Sequence, residues 1–395
     1  MLPLQAIKVL EFTHAVMGPT CGLLLADMGA EVIHIEPPQG DETRRLKGFG
    51  TGYFPFYSRN KKSLAIDIKS KTGKEIIYEL AKTADVVVEN FGPGTMDRLG
   101  FGYPKLAAIN ERLIYCSLKG FLPGPYEGRH AMDEVVQMMG GLAYMTGRPG
   151  DPLRAGTSVV DITGGMFGCI GVLLALYERT TTGKGKEVKA SLFETTAFLM
   201  GQHMAYSAIT KTPVPPMPAR VSAWSVYRIF NTKDGEPIFI GIISEKHWQR
   251  FCEVFGWTNW LEDERLRSNN SRIHNRDWFL PELEQRLKQF SKSVIIEKCE
   301  TAAVPFAPIA TPEDLFEDEQ LNKGGALLTT ALLDGTITKL PATPVLYGSE
   351  KAALHLNPPA IGEHTTEILK SLGKTDADIA ALVTQQIIAV HKPSE

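Results

Sequence analysis

Asp161 stands in the segment RAGTSVVDITGGMFG, directly ahead of a glycine-rich apolar stretch. Two roles are open to a carboxylate there. It can cap the helix that follows, because first-turn amides and the helix dipole favour an ionised oxygen. It can instead attack a carbonyl as a nucleophile, held ionised by the same dipole and flanked by glycines that let a substrate approach the backbone. A second candidate is VENFGPGTMDRLGF at 88–101, which leaves a strand-like run through Gly92-Pro93-Gly94 and enters a helix carrying Arg98. Free amides and a cation in such a loop suit a phosphate or an adenine edge, and equally suit an ordinary turn with a surface arginine. Lys69 and the pair Arg44-Arg45 also follow strand-like runs. His14, and the run His130-Ala131-Met132-Asp133-Glu134, bring imidazole and acid to the same region, although closeness in sequence does not make a catalytic pair.

Several chemistries lack their signatures. No GxGxxG follows the first strand, the GxGxG at Gly48–Gly52 joins no strand to a helix, and GxxxxGK[ST], HExxH, GxSxG and EF-hand patterns are missing. No metal site is expected. The five cysteines are scattered without a CxxC pair, which suggests neither a disulfide framework nor a zinc knuckle and fits a reducing compartment. With 42 Lys and Arg against 45 Asp and Glu the net charge is −3, so no global basic field favours nucleic acid. The start MLPLQAIKVLEF has no signal-peptide pattern. The uncharged run 162–177 spans 16 residues with four glycines, short of the ~20 of a membrane span. The expectation is a cytoplasmic protein with no membrane partner.

The elements that must position these residues alternate in type. Strand-like runs at 7–11, 31–36, 63–68, 85–90 and 112–118 are separated by helical segments, which implies an α/β fold with a mostly parallel, doubly wound sheet. Ligands in such sheets lie beyond the carboxyl ends of the strands, where His14, Lys69, Asn90 and Lys119 fall. The run 162–181 reads as a buried helix and 188–193 as a further strand. At 395 residues two domains are the prior, and the Pro-rich TPVPPMPAR at 212–220 reads as a linker. Beyond it, two apolar runs flank Asp234-Gly235 as in a hairpin, and after residue 325 strand-like runs and a helical tail suggest a return to the first domain.

Four stretches in order, LEFTHAVMGP at 10–19, VENFGPGTMDRLGF at 88–101, GTSVVDITGGMFG at 156–168 and TTGKGKEVKASLFE at 181–194, resemble the class III CoA-transferases, and GEHTTEIL at 362–369 extends the likeness. The resemblance implies a Rossmann-like large domain from 1–205 and 330–395, a small α+β domain at 225–320, and an interlocked homodimer. It implies that Asp161, the Asp of GxxxxD, carries covalent intermediates. Family CoA contacts fall on Ala15, Val16, Met17, Ile66, Lys69, Asn90, Phe91, Thr95, Arg98 and His130. His14, Asp133 and Arg220 are candidates for substrate contact, Arg220 as a partner for a distal carboxylate. No permanently bound cofactor is implied; coenzyme A enters as substrate, moved from an acyl-CoA such as succinyl-CoA to a small carboxylic acid.

This chain departs from the formyl-CoA transferases. Val16 stands for their Gln, Pro37 for an Arg, His130 and Met132 for a Lys and a Tyr, and 225–265 has no glycine run. Formate or oxalate specificity is therefore not implied. The alternative is an α-methylacyl-CoA racemase, which pairs an Asp near 161 with a His in HDxNY; here Met132 directly precedes Asp133 and His130 lies two places early.

Overall fold

The computed structural model describes residues 2–220 and 222–391. The chain divides into two units, Met1–Ala219 with Lys323–Glu395, and Arg220–Asn322. The first unit is built on six parallel strands: β1 (Lys8–Phe12), β2 (Glu31–Glu36), β3 (Lys61–Ile66), β4 (Val86–Glu89), β5 (Ile114–Lys119) and β6 (Glu187–Ser191). They lie in the order β3-β2-β1-β4-β5-β6, and the two-residue strand Ile388–Ala389 closes the β3 edge antiparallel. Register is direct, with Val9 of β1 opposite Val32 on one side and Val86 on the other.

Alternate residues of each strand feed two layers, so the strands read as apolar runs rather than as an in–out pattern. Leu10, Phe12, Ile33 and Leu64 meet Ile76 and Ile77 on one face, where Ile368, Leu369 and Ile379 from the far end of the chain also pack. On the other face Val9, Val32, Val88 and Cys116 meet Cys21, Leu25, Val172 and Ala175. Helix α1 spans Met17–Asp27, α2 spans Lys71–Ala81 and supplies Ile76 and Ile77, α3 spans Asp133–Met139 and α4 spans Val159–Thr182.

Two expectations need correction. Strand β3 begins two residues ahead of the expected 63–68, because Lys61 is buried in the sheet with Nζ 2.7 Å from Glu11 Oε1. Its charge hides it as a strand residue. Helix α4 has 24 residues, starting at Val159 ahead of the expected 162–181 and ending at Thr182, and its last turns carry Arg179, buried and paired with Asp85 at 2.8 Å. Its length alone therefore would suffice to cross a membrane. It is also buried along only one stripe, Val160, Gly164, Gly165, Gly168, Cys169, Val172 and Ala175, while Leu174 and Tyr177 are 64% and 78% exposed. The helix lies against α1 because glycines remove the side chains between them. A Cβ on Gly165 would sit 2.5 Å from Met17 O and 2.8 Å from Thr20 Cβ.

The second unit holds the antiparallel hairpin Val226–Asn231 and Pro237–Ile242, turned at Gly235 with φ 76°, and the short strand Phe306–Pro308 beside it. Trp248, Phe251, Trp260 and Phe279 fill its core.

Gly165→Ala tests the α1–α4 contact. Alanine favours a helix over glycine by about 1 kcal/mol, yet the clash is expected to cost ~1–3 kcal/mol net in chemical denaturation. Gly201→Ala, where a Cβ meets nothing within 4 Å, is expected to be neutral or stabilising.

Candidate active site

The order of the strands creates the crevice. From β1 the chain moves outward to β2 and β3, whereas β4 leads to β5 and β6, so the loops after β1 and β4 part company above adjacent strands. That order is the one found in dinucleotide-binding sheets, although the glycine fingerprint is missing. In its place Ala15 takes φ 60°, a left-handed conformation that non-glycine residues seldom adopt, with its N–H donated to Thr43 Oγ1 at 3.2 Å.

Asn90 ties the two loops together. Its Oδ1 accepts from His14 N at 3.0 Å and its Nδ2 donates to His14 O at 2.9 Å, while the His14 and Phe91 rings stack 5.7 Å apart. Beneath them Glu89 is buried, accepting from Phe91 N at 3.0 Å, Ser117 Oγ at 2.6 Å and Lys119 Nζ at 2.8 Å. Lys119 Nζ also donates to Phe91 O at 2.7 Å. The loop after β4 is thus pinned at both backbone and side chain.

A cavity of about 420 Å³ opens over these loops. The structure gathers His14, Ala15, Val16, Met17, Asn90, Phe91, His130, Asp133 and Asp161 in its wall. Ile66 and Lys69 line a neighbouring cavity of about 690 Å³ that shares Phe91. Thr95 and Arg98 lie outside both, on the short helix Thr95–Leu99, with Arg98 donating to Thr95 Oγ1 at 2.8 Å and Pro93 O at 3.3 Å. Arg220 belongs to the second unit. Sequence reasoning missed Tyr53 and Arg154, both of which line the 420 Å³ cavity. Arg154 precedes Asp161 by seven residues, and because the segment between them is irregular no helix or strand period relates the two.

Asp161 is not the cap of α4. Ser158 holds that position and makes no side-chain cap bond, leaving Asp161 in the first turn. The capping oxygen comes from the first residue of α3: Asp133 Oδ2 accepts from Val160 N at 2.9 Å and Asp161 N at 3.1 Å, and its Oδ1 accepts from Gln137 Nε2 at 2.5 Å. Gln137 Oε1 in turn takes Ala155 N at 2.8 Å, which fixes the segment entering the helix. Each remaining first-turn amide is also used, Val159 N by Thr157 O and Ile162 N by Ser158 O.

The dipole does not hold Asp161 ionised at low pH either. Burial pushes its carboxyl up to about 7, the Asp133 carboxylate adds to the rise, and Arg154 opposes it. Burial, and then the charge of Asp161, also push the Tyr57 phenol up to about 12. Among the described residues no group of three or more His, Cys, Asp or Glu is placed to hold a metal ion.

The raised carboxyl has a stability consequence. Between the unfolded value of 3.8 and the folded value of about 7, the folded state keeps a proton that the unfolded chain releases, so stability falls as pH rises through that window. Asp161→Asn cannot titrate. It is expected to melt above the wild type at pH 8, with the difference closing by about pH 4 in thermal unfolding.

Comparison with known proteins adds to this geometry. The family model of CoA-transferase family III matches residues 4–365. The succinate–glutarate CoA-transferase of Agrobacterium fabrum is 30% identical over 94% of this chain and 96% of its own length. The formyl-CoA:oxalate CoA-transferase of a Bradyrhizobium species is 33% identical over 96% of each chain. Among solved structures, a CAIB/BAIF family protein from Brucella suis superposes with a TM-score of 0.83 at 30% identity, covering 94% of this chain and 99% of that one. With residues 4–365 matched by the family model and more than nine-tenths of the chain by relatives, the chain belongs to CoA-transferase family III and is an enzyme of CoA transfer.

Proposed function

We propose that this enzyme carries CoA from an acyl-CoA donor, succinyl-CoA being the favoured one, to a small carboxylic acid by way of covalent intermediates on Asp161. The observation that carries the proposal is the position of that carboxylate. It faces a cavity above the point where the sheet order reverses, in the same wall as six of the ten residues that the family resemblance assigns to CoA.

In the proposed sequence an Asp161 oxygen attacks the thioester carbonyl, the carbon–sulfur bond breaks, and CoA leaves as thiolate while a mixed anhydride forms. The thiolate then attacks the aspartyl carbonyl, and the donor acid leaves as carboxylate. An acceptor carboxylate attacks the resulting aspartyl-CoA thioester and the two steps run in reverse, so that Asp161 is regenerated. The exchange conserves the thioester and balances without oxidant or added proton. A carboxyl pushed up to about 7 is partly ionised at neutral pH, and the ionised fraction is the nucleophile.

Oxyanion stabilisation needs donors aimed at the attacked carbonyl. The first-turn amides of α4 are committed, two of them to Asp133. Helix α1 starts at Met17 with no side-chain cap, Pro19 has no N–H and Thr20 N is held by Val16 O, so the amides of Met17 and Gly18 are the ones assigned to the oxyanion. Ile66 and Lys69, and beyond them Thr95 and Arg98, are assigned to the nucleotide end of CoA. The proposal extends to a homodimer, interlocked as the family resemblance implies. The exposed apolar stripe of α4, Met166, Ile170, Leu174 and Tyr177, is the surface that it gives to the second copy.

The test is mass-spectrometric detection of CoA exchange, with succinyl-, acetyl-, formyl-, butyryl- and 2-methylacyl-CoA each offered a mixture of acids. Wild type is expected to form new acyl-CoAs, at a rate that rises with pH through about 7 as Asp161 ionises, and Asp161→Ala is expected to form none. No exchange, together with loss of optical purity in a chiral 2-methylacyl-CoA, would instead make Asp161 a proton-transfer group of a racemase.

A further inference from the structure

We infer that Arg154 binds the distal carboxylate of a dicarboxylic substrate, so that the cavity selects dicarboxylyl groups over monoacyl chains of the same length. The inference rests on the transferase reading above and names the substrate class of the same site.

A guanidinium presents five N–H groups, and its Nε–Nη2 edge matches the two oxygens of a carboxylate. At two other arginines of this unit that edge is filled. Arg44 places Nε and Nη2 on Glu36 at 2.8 and 2.6 Å, and Arg59 places the same two atoms on Asp27 at 3.3 and 2.8 Å. Arg154 differs. Its Nη2 stands 3.5 Å from Asp133 Oδ1 and its Nη1 3.7 Å from Glu134 Oε1, charge contacts longer than the 2.7–3.2 Å of an N–H···O bond. Its Nε is buried without an acceptor. A buried donor left open is costly, and the side chain as a whole keeps 32% of its surface exposed in a residue that lines the cavity, where an incoming carboxylate can meet it.

The neighbouring acids do not use this edge up. Both oxygens of Asp133 are already engaged, by Gln137 and by the amides of Val160 and Asp161. The other cations of the cavity have occupations of their own: Lys119 is bound to Glu89 and Phe91 O, and Arg129 lies over the Tyr126 ring with its guanidinium carbon 4.8 Å from the centroid. A substrate bearing a second carboxylate would enter beside Asp133, Glu134 and Asp161. Without a facing cation the three acids would repel it; Arg154 supplies that cation within the same wall.

The measurement is equilibrium binding of unreactive thioether analogues of succinyl-CoA and butyryl-CoA, which differ in the terminal carboxylate. It is made with wild type, Arg154→Gln and Arg154→Lys, each checked by circular dichroism for a folded spectrum. Wild type is expected to prefer the succinyl analogue. Arg154→Gln is expected to weaken that analogue about 10- to 100-fold, the worth of charge-assisted hydrogen bonds, while changing the butyryl analogue less than about threefold. Arg154→Lys, with the charge but not the fork, is expected to fall between. Equal affinity of wild type for both analogues, or equal weakening of both in Arg154→Gln, would overturn the inference and leave Arg154 as a structural partner of Asp133. Should Arg154→Gln fail to fold, the lysine variant carries the same comparison. Because binding is read without turnover, absence of CoA exchange with every acid would contradict the transferase reading and leave this result standing on its own.

Discussion

One carboxylate holds the first turn of α4 and stands beside another. Asp133 accepts the amides of Val160 and Asp161, which satisfies donors that no local side chain reaches, and in doing so it sets a like charge next to the Asp161 carboxyl. The two effects cannot be separated: the group that fixes the backbone of Asp161 also disfavours its ionisation. Arg154 partly offsets the repulsion from a distance at which it forms no hydrogen bond. The result is a carboxyl that stays neutral on its own at mildly acid pH and becomes a competent nucleophile near neutrality.

The scaffold is arranged around that turn. Glycines at 164 and 165 let α4 lie close on α1, and Gly168 lets it lie close on β5, so the starts of both helices meet above the reversal in strand order. The loop after β1 is supported from below by a buried ionic chain. Glu11 receives Lys61 and His34, His34 lies 3.4 Å from Asp41, Asp41 accepts from Thr43 N, and Thr43 Oγ1 accepts from Ala15 N. Burial works against an imidazolium at His34, but the carboxylates of Asp41 and Glu11 beside it outweigh that and push the ring up to about 9, so it is charged at neutral pH. Charges so deeply placed are costly to desolvate. What they hold is the left-handed turn at Ala15, in the wall that carries Val16 and Met17.

Much of this was legible in the residues. Apolar runs of strand length marked β1, β2, β4 and β5 because both faces of the sheet are covered, and the Asp161 and Asn90 segments were found because strand ends concentrate ligand contacts. Less was legible where a charge is satisfied from a distance. Lys61, paired with an acid far away in sequence, disguised the start of β3. Asp133 looked like an acid near a histidine, and nothing local in RAGTSVVD announced that its cap would come from α3. Arg154 was passed over for Arg220, since only the fold brings residue 154 into the cavity with Asp161.

The central claim is that Asp161 becomes covalently bonded to CoA. The most direct measurement is rapid acid quench of the enzyme with an acyl-CoA donor and no acceptor, followed by proteolysis and peptide mass spectrometry. The account predicts that the peptide containing Asp161 gains the mass of CoA less water, and that Asp161→Asn shows no such adduct. Exchange proceeding without any adduct on that peptide, or an adduct on a different residue, would contradict it.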